Sequence, residues 1–240
     1  MQNSKPKFIV IEGGEGSGKS SMLMRLKEKL GDSIMTTREP GGTPYAEVIR
    51  EATLKNPLAK TAPAETTLCL MFASRYDNSE NMIKPALEKG MPIITDRFDA
   101  SSYAYQVHAQ SKGKLEKLFW DLRDHLSVKP DLYIFFDVEP KEGVRRANSR
   151  NQSLLQGKQY DHFDDREIDF HTQVREGYLK FFQNIFYTSH IFFLIKQFLV
   201  LFHTIYLKVF LCHLYPFYSL FIKRYFFFKL YITPYYLSLR

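Results

Sequence analysis

The stretch Phe8-Ile9-Val10-Ile11-Glu12-Gly13-Gly14-Glu15-Gly16-Ser17-Gly18-Lys19-Ser20 decides how this chain is read. Its first four residues are a continuous apolar run, the pattern of a strand buried on both faces in a parallel sheet. Gly13 to Ser20 then fit G-x-x-x-x-G-K-[ST], directly after that strand and directly before a helical pattern, which is the context the motif requires. The glycines let successive backbone N–H groups turn inward around phosphate oxygens, and a helix starting near Lys19 adds the positive end of its dipole. Lys19 offers a point charge to the β and γ phosphates, and Ser20 offers a hydroxyl to Mg²⁺. Gly13, Gly14, Glu15, Gly16, Ser17, Gly18, Lys19, Ser20 and Ser21 are thus the expected nucleoside triphosphate contacts. Glu15 is unusual, because an acid repels the charge that the loop attracts. Either it faces the acceptor side, near the transferred phosphoryl, or it is a solvated acid at the loop tip.

Outward from the loop, apolar residues at Met22, Leu23, Leu26 and Leu30 predict a helix over residues 20–30, closed by Gly31. A strand over 33–37 ends at Arg38-Glu39-Pro40-Gly41-Gly42, where Pro and two Gly forbid continuation. Helical patterns cover 44–54 and 64–89, a third strand covers 91–95, a helix 115–127, and a fourth strand 132–136. Strands alternating with helices predict an α/β fold, a parallel sheet flanked by helices. Ligands in such sheets bind beyond the carboxyl ends of the strands. All four apolar strands end at polar residues: Glu12, Arg38, Asp96-Arg97 and Asp137. Arg145 to Asp165 is polar and charge-dense, which suits a mobile loop.

The formal charge of +7 over 240 residues would ordinarily raise nucleic acid or an anionic membrane as partners. Its distribution argues otherwise. No acid follows Glu176, and Lys196, Lys208, Lys223, Arg224, Lys229 and Arg240 leave only +1 for residues 1–183. No nucleic-acid partner is expected. Cys69 and Cys212 have no neighbouring His or Cys at metal-ligand spacing, so two buried or incidental thiols are expected. Met1 to Lys7 lack the apolar stretch of a secretory signal, and a cytoplasmic body is expected.

Four motifs in order resemble those of the bacterial thymidylate kinases: Glu12 to Ser20; Thr37-Arg38-Glu39-Pro40-Gly41-Gly42-Thr43; Asp96-Arg97-Phe98 leading through Ser101-Ser102 to Ala104-Tyr105-Gln106; and Pro130-Asp131-Leu132 with Asp137-Val138. The resemblance runs from about Lys7 to Phe182 and implies a P-loop NTPase fold with a mobile lid. It implies γ-phosphoryl transfer from ATP, with Mg²⁺, to dTMP, and a homodimer formed through helices of the body. Another nucleoside monophosphate kinase is the alternative, as is a nucleotide-binding protein made inactive by an aberrant C-terminus. Glu15, Lys19 and Arg97 are then the catalytic set, with Ser20 and Asp96 toward the metal. Glu39, Pro40, Arg50, Arg75, Arg97, Ser101, Ser102, Tyr105 and Gln106 fall to the acceptor nucleotide, with Tyr105 crowding a 2′-hydroxyl. The family places a Phe four residues before the Arg corresponding to Arg75, to stack on thymine. This chain has Met71 there and Phe72 one residue later, so either covers the base. In the lid, His162 stands where an Arg is expected; Arg150, Lys158 and Arg166 are the substitutes.

Residues 181–240 hold 21 of the 36 Phe and Tyr residues, and no Gly follows Gly177. The family's closing strand and helix are not recognisable there. The expected division is a kinase-like body, 1–183, with its lid at 145–165, and a tail, 184–240. Three readings of the tail stay open: an out-of-frame C-terminus, a membrane segment over 185–207, and a hydrophobic partner-binding extension. The membrane reading is disfavoured by Lys196 inside that span.

Overall fold

A computed structural model describes residues 6–153, 167–186 and 191–196, all within one compact unit, Met1–Gln197. At its centre lies Phe8–Gly13 (β1), all six residues of which are buried. Met35–Arg38 (β2), Ile93–Asp96 (β3), Leu132–Asp137 (β4) and Ile191–Lys196 (β5) complete a five-stranded sheet in the order β2-β3-β1-β4-β5, every pairing parallel. Register places Arg38 against Asp96, Ile11 against Asp96 and Gly13 against Phe136, so the carboxyl ends of the strands share one rim.

Helices make the crossovers. Lys19–Leu30 (α1) follows the glycine loop and buries Leu26. Pro44–Arg50 (α2) starts where Thr43 accepts a hydrogen bond from Ala46 N at 3.2 Å and Pro44 takes the first helical position. Ala64–Asn78 (α3) and Lys84–Glu88 (α4) lead to β3, and Asp99–Ser102 (α5) leaves it. Wider π-type turns extend α2 (Glu51–Lys55), α3 (Ser79–Ile83) and α5 (Tyr103–Gln110). Glu116–Asp124 (α6), Pro140–Ser153 (α7) and Ile168–Phe186 (α8) follow. On α8 the residues Phe170, Val174, Tyr178, Phe181 and Ile185 recur at helical spacing and face the core. Phe181 lies parallel to Trp120 with ring centroids 5.9 Å apart, and Phe119 meets Phe72, Tyr103 and Trp120 edge-on. Such pairs add about 0.5–1.5 kcal/mol each beyond the area they bury.

Three expectations are corrected. Residues 145–153 are the end of α7 rather than loop, because Glu142 pairs with Arg145 at 2.7 Å and Arg146 at 2.7 Å across successive turns. The chain does have a fifth strand: β5 pairs with β4 from Leu132–Ile191 to Asp137–Lys196, inside the segment weighed as membrane-spanning. A boundary at residue 183 falls within α8. Cys69 is exposed, so of the two readings of the thiols the incidental one holds for it; Cys212, like all of residues 197–240, lies outside the described residues. Among those residues no helix is long and apolar enough to cross a membrane.

Candidate active site

At the carboxyl rim of the sheet the chain encloses a cavity of about 280 Å³. The phosphate loop from Glu15 to Ser21 forms one wall. Glu39, Pro40, Arg50, Leu54, Met71 and Arg75 form another. Asp96, Arg97, Phe98, Ser101, Ser102, Tyr105 and Gln106 close it. Of the strand-end residues singled out in the sequence, only Asp96 and Arg97 line this space. Arg38 is exposed and bonded to Glu47. Asp137 holds α8 through a bidentate pair with Arg175, at 2.5 and 3.0 Å. Glu12 lies fully buried behind the loop.

The loop is shaped for a phosphate chain. Gly18, at φ 98°, precedes α1 in a conformation that L side chains rarely adopt. The crest of the loop rests on α7, where a Cβ on Gly143 would sit 2.5 Å from the carbonyl oxygen of Glu15. Lys19 Nζ donates to the carbonyls of Gly13 (2.8 Å) and Gly14 (2.9 Å) and to Ser17 Oγ (3.3 Å). Burial, and then the Arg97 charge, push its ammonium down to about 8, against the pull of Asp96, Glu15 and Glu12.

Arg97 sits at φ 69°, a sparsely populated backbone region for a non-glycine residue, of the kind that clusters at functional sites. Its Nη2 donates to Glu15 Oε1 at 2.5 Å, and its Nη1 to Gly13 O, Ser101 Oγ and Tyr178 Oη at 3.1, 3.1 and 2.8 Å. Glu15 also accepts from the Tyr105 hydroxyl at 3.2 Å. Burial opposes its charge, yet Arg97 and then Lys19 outweigh that and hold its carboxyl below the usual range. Glu15 is therefore no solvated loop-tip acid; it holds the basic group beside the phosphate loop. Asp96 Oδ1 is buried with no hydrogen-bond partner among the described residues and shares the cavity wall with Ser20. Two oxygen donors leaving most positions to phosphates and water suit Mg²⁺, which is usually held by one or two carboxylates plus substrate phosphate.

The cavity is also lined by Arg75, whose side chain is 2% exposed. Its Nε donates to Glu39 Oε2 at 2.8 Å, and its Nη2 to Phe98 O (2.8 Å) and Ser102 Oγ (3.0 Å). Its Nη1 is buried with no partner among the described residues, a donor available to a ligand in the cavity that Arg75 lines. The guanidinium carbon stands 4.6 Å from the Phe72 ring centre and 5.2 Å from that of Phe98. Phe72 is accordingly a core residue behind Arg75, meeting Tyr76 and Phe119, while Met71 faces the cavity. The expectation that Phe72 touches substrate is corrected on this point: its ring is spent on the guanidinium and the core. Glu39, held by Arg75 and by Asn78 Nδ2 at 3.2 Å, has its carboxyl pushed up by burial to about 7, against the lowering pull of Arg75. Arg50 Nη1 donates to Pro40 O at 2.7 Å. Of the lid candidates, Arg150 lies on α7, and Lys158, His162 and Arg166 lie outside the described residues.

Sequence reasoning marked Glu12 only as a polar strand end, without a role, and missed Tyr178. Glu12 accepts from Phe98 N, Ser101 N and Ser101 Oγ at 2.8, 3.2 and 2.6 Å. Tyr178 comes from α8, and the apolar spacing of that helix was the available signal.

A glycine phosphate loop that shares one cavity with Asp96 and Arg97 of the neighbouring strand and with the buried Arg75 defines a P-loop phosphotransferase. The family model described as Thymidylate kinase matches residues 11–192. The thymidylate kinase of Hahella chejuensis is 36% identical over 72% of this chain and 81% of its own length, and that of Chlamydia caviae 39% identical over 72% and 82%. A crystal structure of thymidylate kinase from Ehrlichia chaffeensis superposes with a TM-score of 0.63 at 25% identity, over 88% of this chain and 99% of the other. This chain belongs to the thymidylate kinase family.

Proposed function

We infer that this chain transfers the γ-phosphoryl of ATP to dTMP, giving dTDP and ADP. The observation that carries the reading is that one cavity is lined both by a phosphate loop and by a buried arginine with an open donor edge, in a chain of this family. Transfer between two anions asks little covalent chemistry of the protein, so positioning and charge neutralisation do the work.

In this reading the loop N–H groups and Lys19 take the ATP phosphates. Lys19 leaves the carbonyls of Gly13 and Gly14 to do so, and the phosphates restore the charge that burial weakens. Arg97, steered by Glu15, bridges the acceptor phosphate and the transferred phosphoryl. Ser20 and Asp96 would hold Mg²⁺, which when bound offsets negative charge on the β and γ phosphates. Met71 gives the apolar side of the base slot, with Arg75, Ser102 and Gln106 at its polar edge. Tyr105, tied to Glu15, lines the same cavity.

The closing strand β5 removes the structural reason for expecting an inactive nucleotide-binding protein. We assign the transfer to residues up to Lys196 rather than 183. A homodimer through body helices is part of this proposal; exposed Tyr45 and Val48 on α2, and Leu58 beyond it, favour it. A cytoplasmic location fits the ATP and dTMP it would use. A coupled ADP assay comparing dTMP, dCMP, UMP and thymidine tests the acceptor: dTMP should dominate, and equal turnover without preference for dTMP refutes the assignment.

A further inference from the structure

The hydroxyl of Tyr178 is the point at which α8 touches Arg97. Tyr178 is fully buried, and its Oη lies 2.8 Å from Arg97 Nη1, 2.7 Å from Ser101 Oγ and 3.2 Å from Glu12 Oε2. A phenol has one proton to give and lone pairs to receive. Arg97 has no lone pair, so Tyr178 accepts from Nη1 and turns its own proton toward Ser101, Glu12 or, at 3.4 Å, the Gly13 carbonyl. Ser101 Oγ in turn donates to Glu12 Oε2 and accepts from the same Nη1. Glu12 is fully buried and absent from the cavity lining, so its carboxylate is directed at these hydroxyls and at the backbone that carries Arg97.

Nη1 therefore meets three oxygens, of Gly13, Ser101 and Tyr178, while Nη2 keeps to Glu15 at the phosphate loop. An arginine in a strained backbone conformation persists only where its surroundings over-determine it. The Tyr178 ring packs on Phe135, centroids 5.1 Å apart, and on Tyr105 at 6.4 Å, so the ring has a packing role separable from the hydroxyl.

We propose that Tyr178 is a positioning residue for phosphoryl transfer, acting through Arg97: its hydroxyl, directed by Glu12 and Ser101, fixes one edge of the guanidinium so that the other faces the reacting phosphates. This rests on the reading of Arg97 as the phosphate clamp. Because α8 begins within a few residues of the region expected to form the lid, the same contact ties that helix to the reacting centre.

The test is Tyr178→Phe in the full chain. It should lower kcat about tenfold, equivalent to about 1.4 kcal/mol, while KM for ATP and for dTMP stays within about twofold. In an Arg97→Lys background the same substitution should change kcat by less than about twofold, because both act through one contact. Glu12→Gln, which keeps the buried volume and removes the directing charge, is the second variant and carries the same expectations. An undiminished kcat, a loss confined to KM, or a loss that multiplies fully with Arg97→Lys overturns the proposal. Arg97→Lys with undiminished kcat refutes instead the reading of Arg97 on which it rests.

Discussion

Replacing Arg75 by Met separates structural from recognition roles in the cavity. The side chains of Arg75 and Glu39 are each 2% exposed and bonded at 2.8 Å, so the change leaves a buried carboxylate with only Asn78 at 3.2 Å. Removing one partner of a buried pair costs about 3–5 kcal/mol. The loss should depend on pH. Burial already holds the Glu39 carboxyl at about 7 with Arg75 present, and without that charge it rises further. A carboxyl raised in the folded state contributes stability that is fully present below its unfolded value and lost as pH rises through its folded one. The parent has finished losing it a little above pH 7, whereas the variant goes on losing about 1.4 kcal/mol per pH unit. Urea unfolding followed by circular dichroism should therefore show a larger deficit at pH 8 than at pH 6, by about 1–1.5 kcal/mol. Adding Glu39→Gln to Arg75→Met should recover part of it. A deficit independent of pH, or one that Glu39→Gln deepens, would refute the reasoning.

Gly143→Ala places a methyl 2.5 Å from Glu15 O and must push α7 off the phosphate loop; KM for ATP should rise several-fold, with overpacking costing about 1–3 kcal/mol of stability in thermal unfolding. An unchanged KM would show that the contact is slack. The Lys19 ammonium, lowered to about 8, should make kcat/KM for ATP fall as pH rises through about 8, since that ratio reports the unliganded enzyme. A profile flat to pH 9.5, about 1.5 units further, would contradict the burial argument. Asp96→Asn should raise the Mg²⁺ concentration needed for half-maximal rate about tenfold or more, read from a metal titration at fixed ATP; an unaltered titration would remove Asp96 from the metal's surroundings.

Much of this site could be read from the chain because its chemistry is local. Phe8 to Ser20 is strand, loop and helix start in one unbroken stretch, and Asp96 ends its own strand with Arg97 next to it, so spacing alone put both at the rim. What escaped depends on distant segments. Nothing near Tyr178 in sequence says that its hydroxyl meets a residue 81 positions away. Asp137 looked like a site residue for the same reason as Asp96; only the path of α8 decides that Arg175 claims it. Met71 and Phe72 are neighbours on one helix, and which of them faces the cavity is fixed by where Arg75 lays its guanidinium. In β5 composition misled, because a strand of Ile, Phe and Leu with no acid nearby looks alike whether it closes a sheet or belongs to a foreign tail.

The most direct measurement supplies the full chain with ATP labelled in its γ-phosphoryl, together with Mg²⁺ and dTMP, and follows where the label goes. The account predicts labelled dTDP formed one for one with ADP, abolished by Lys19→Met and lowered about a hundredfold or more by Arg97→Ala. Label appearing as inorganic phosphate without dTDP, or dTDP formation that survives Lys19→Met, would contradict it.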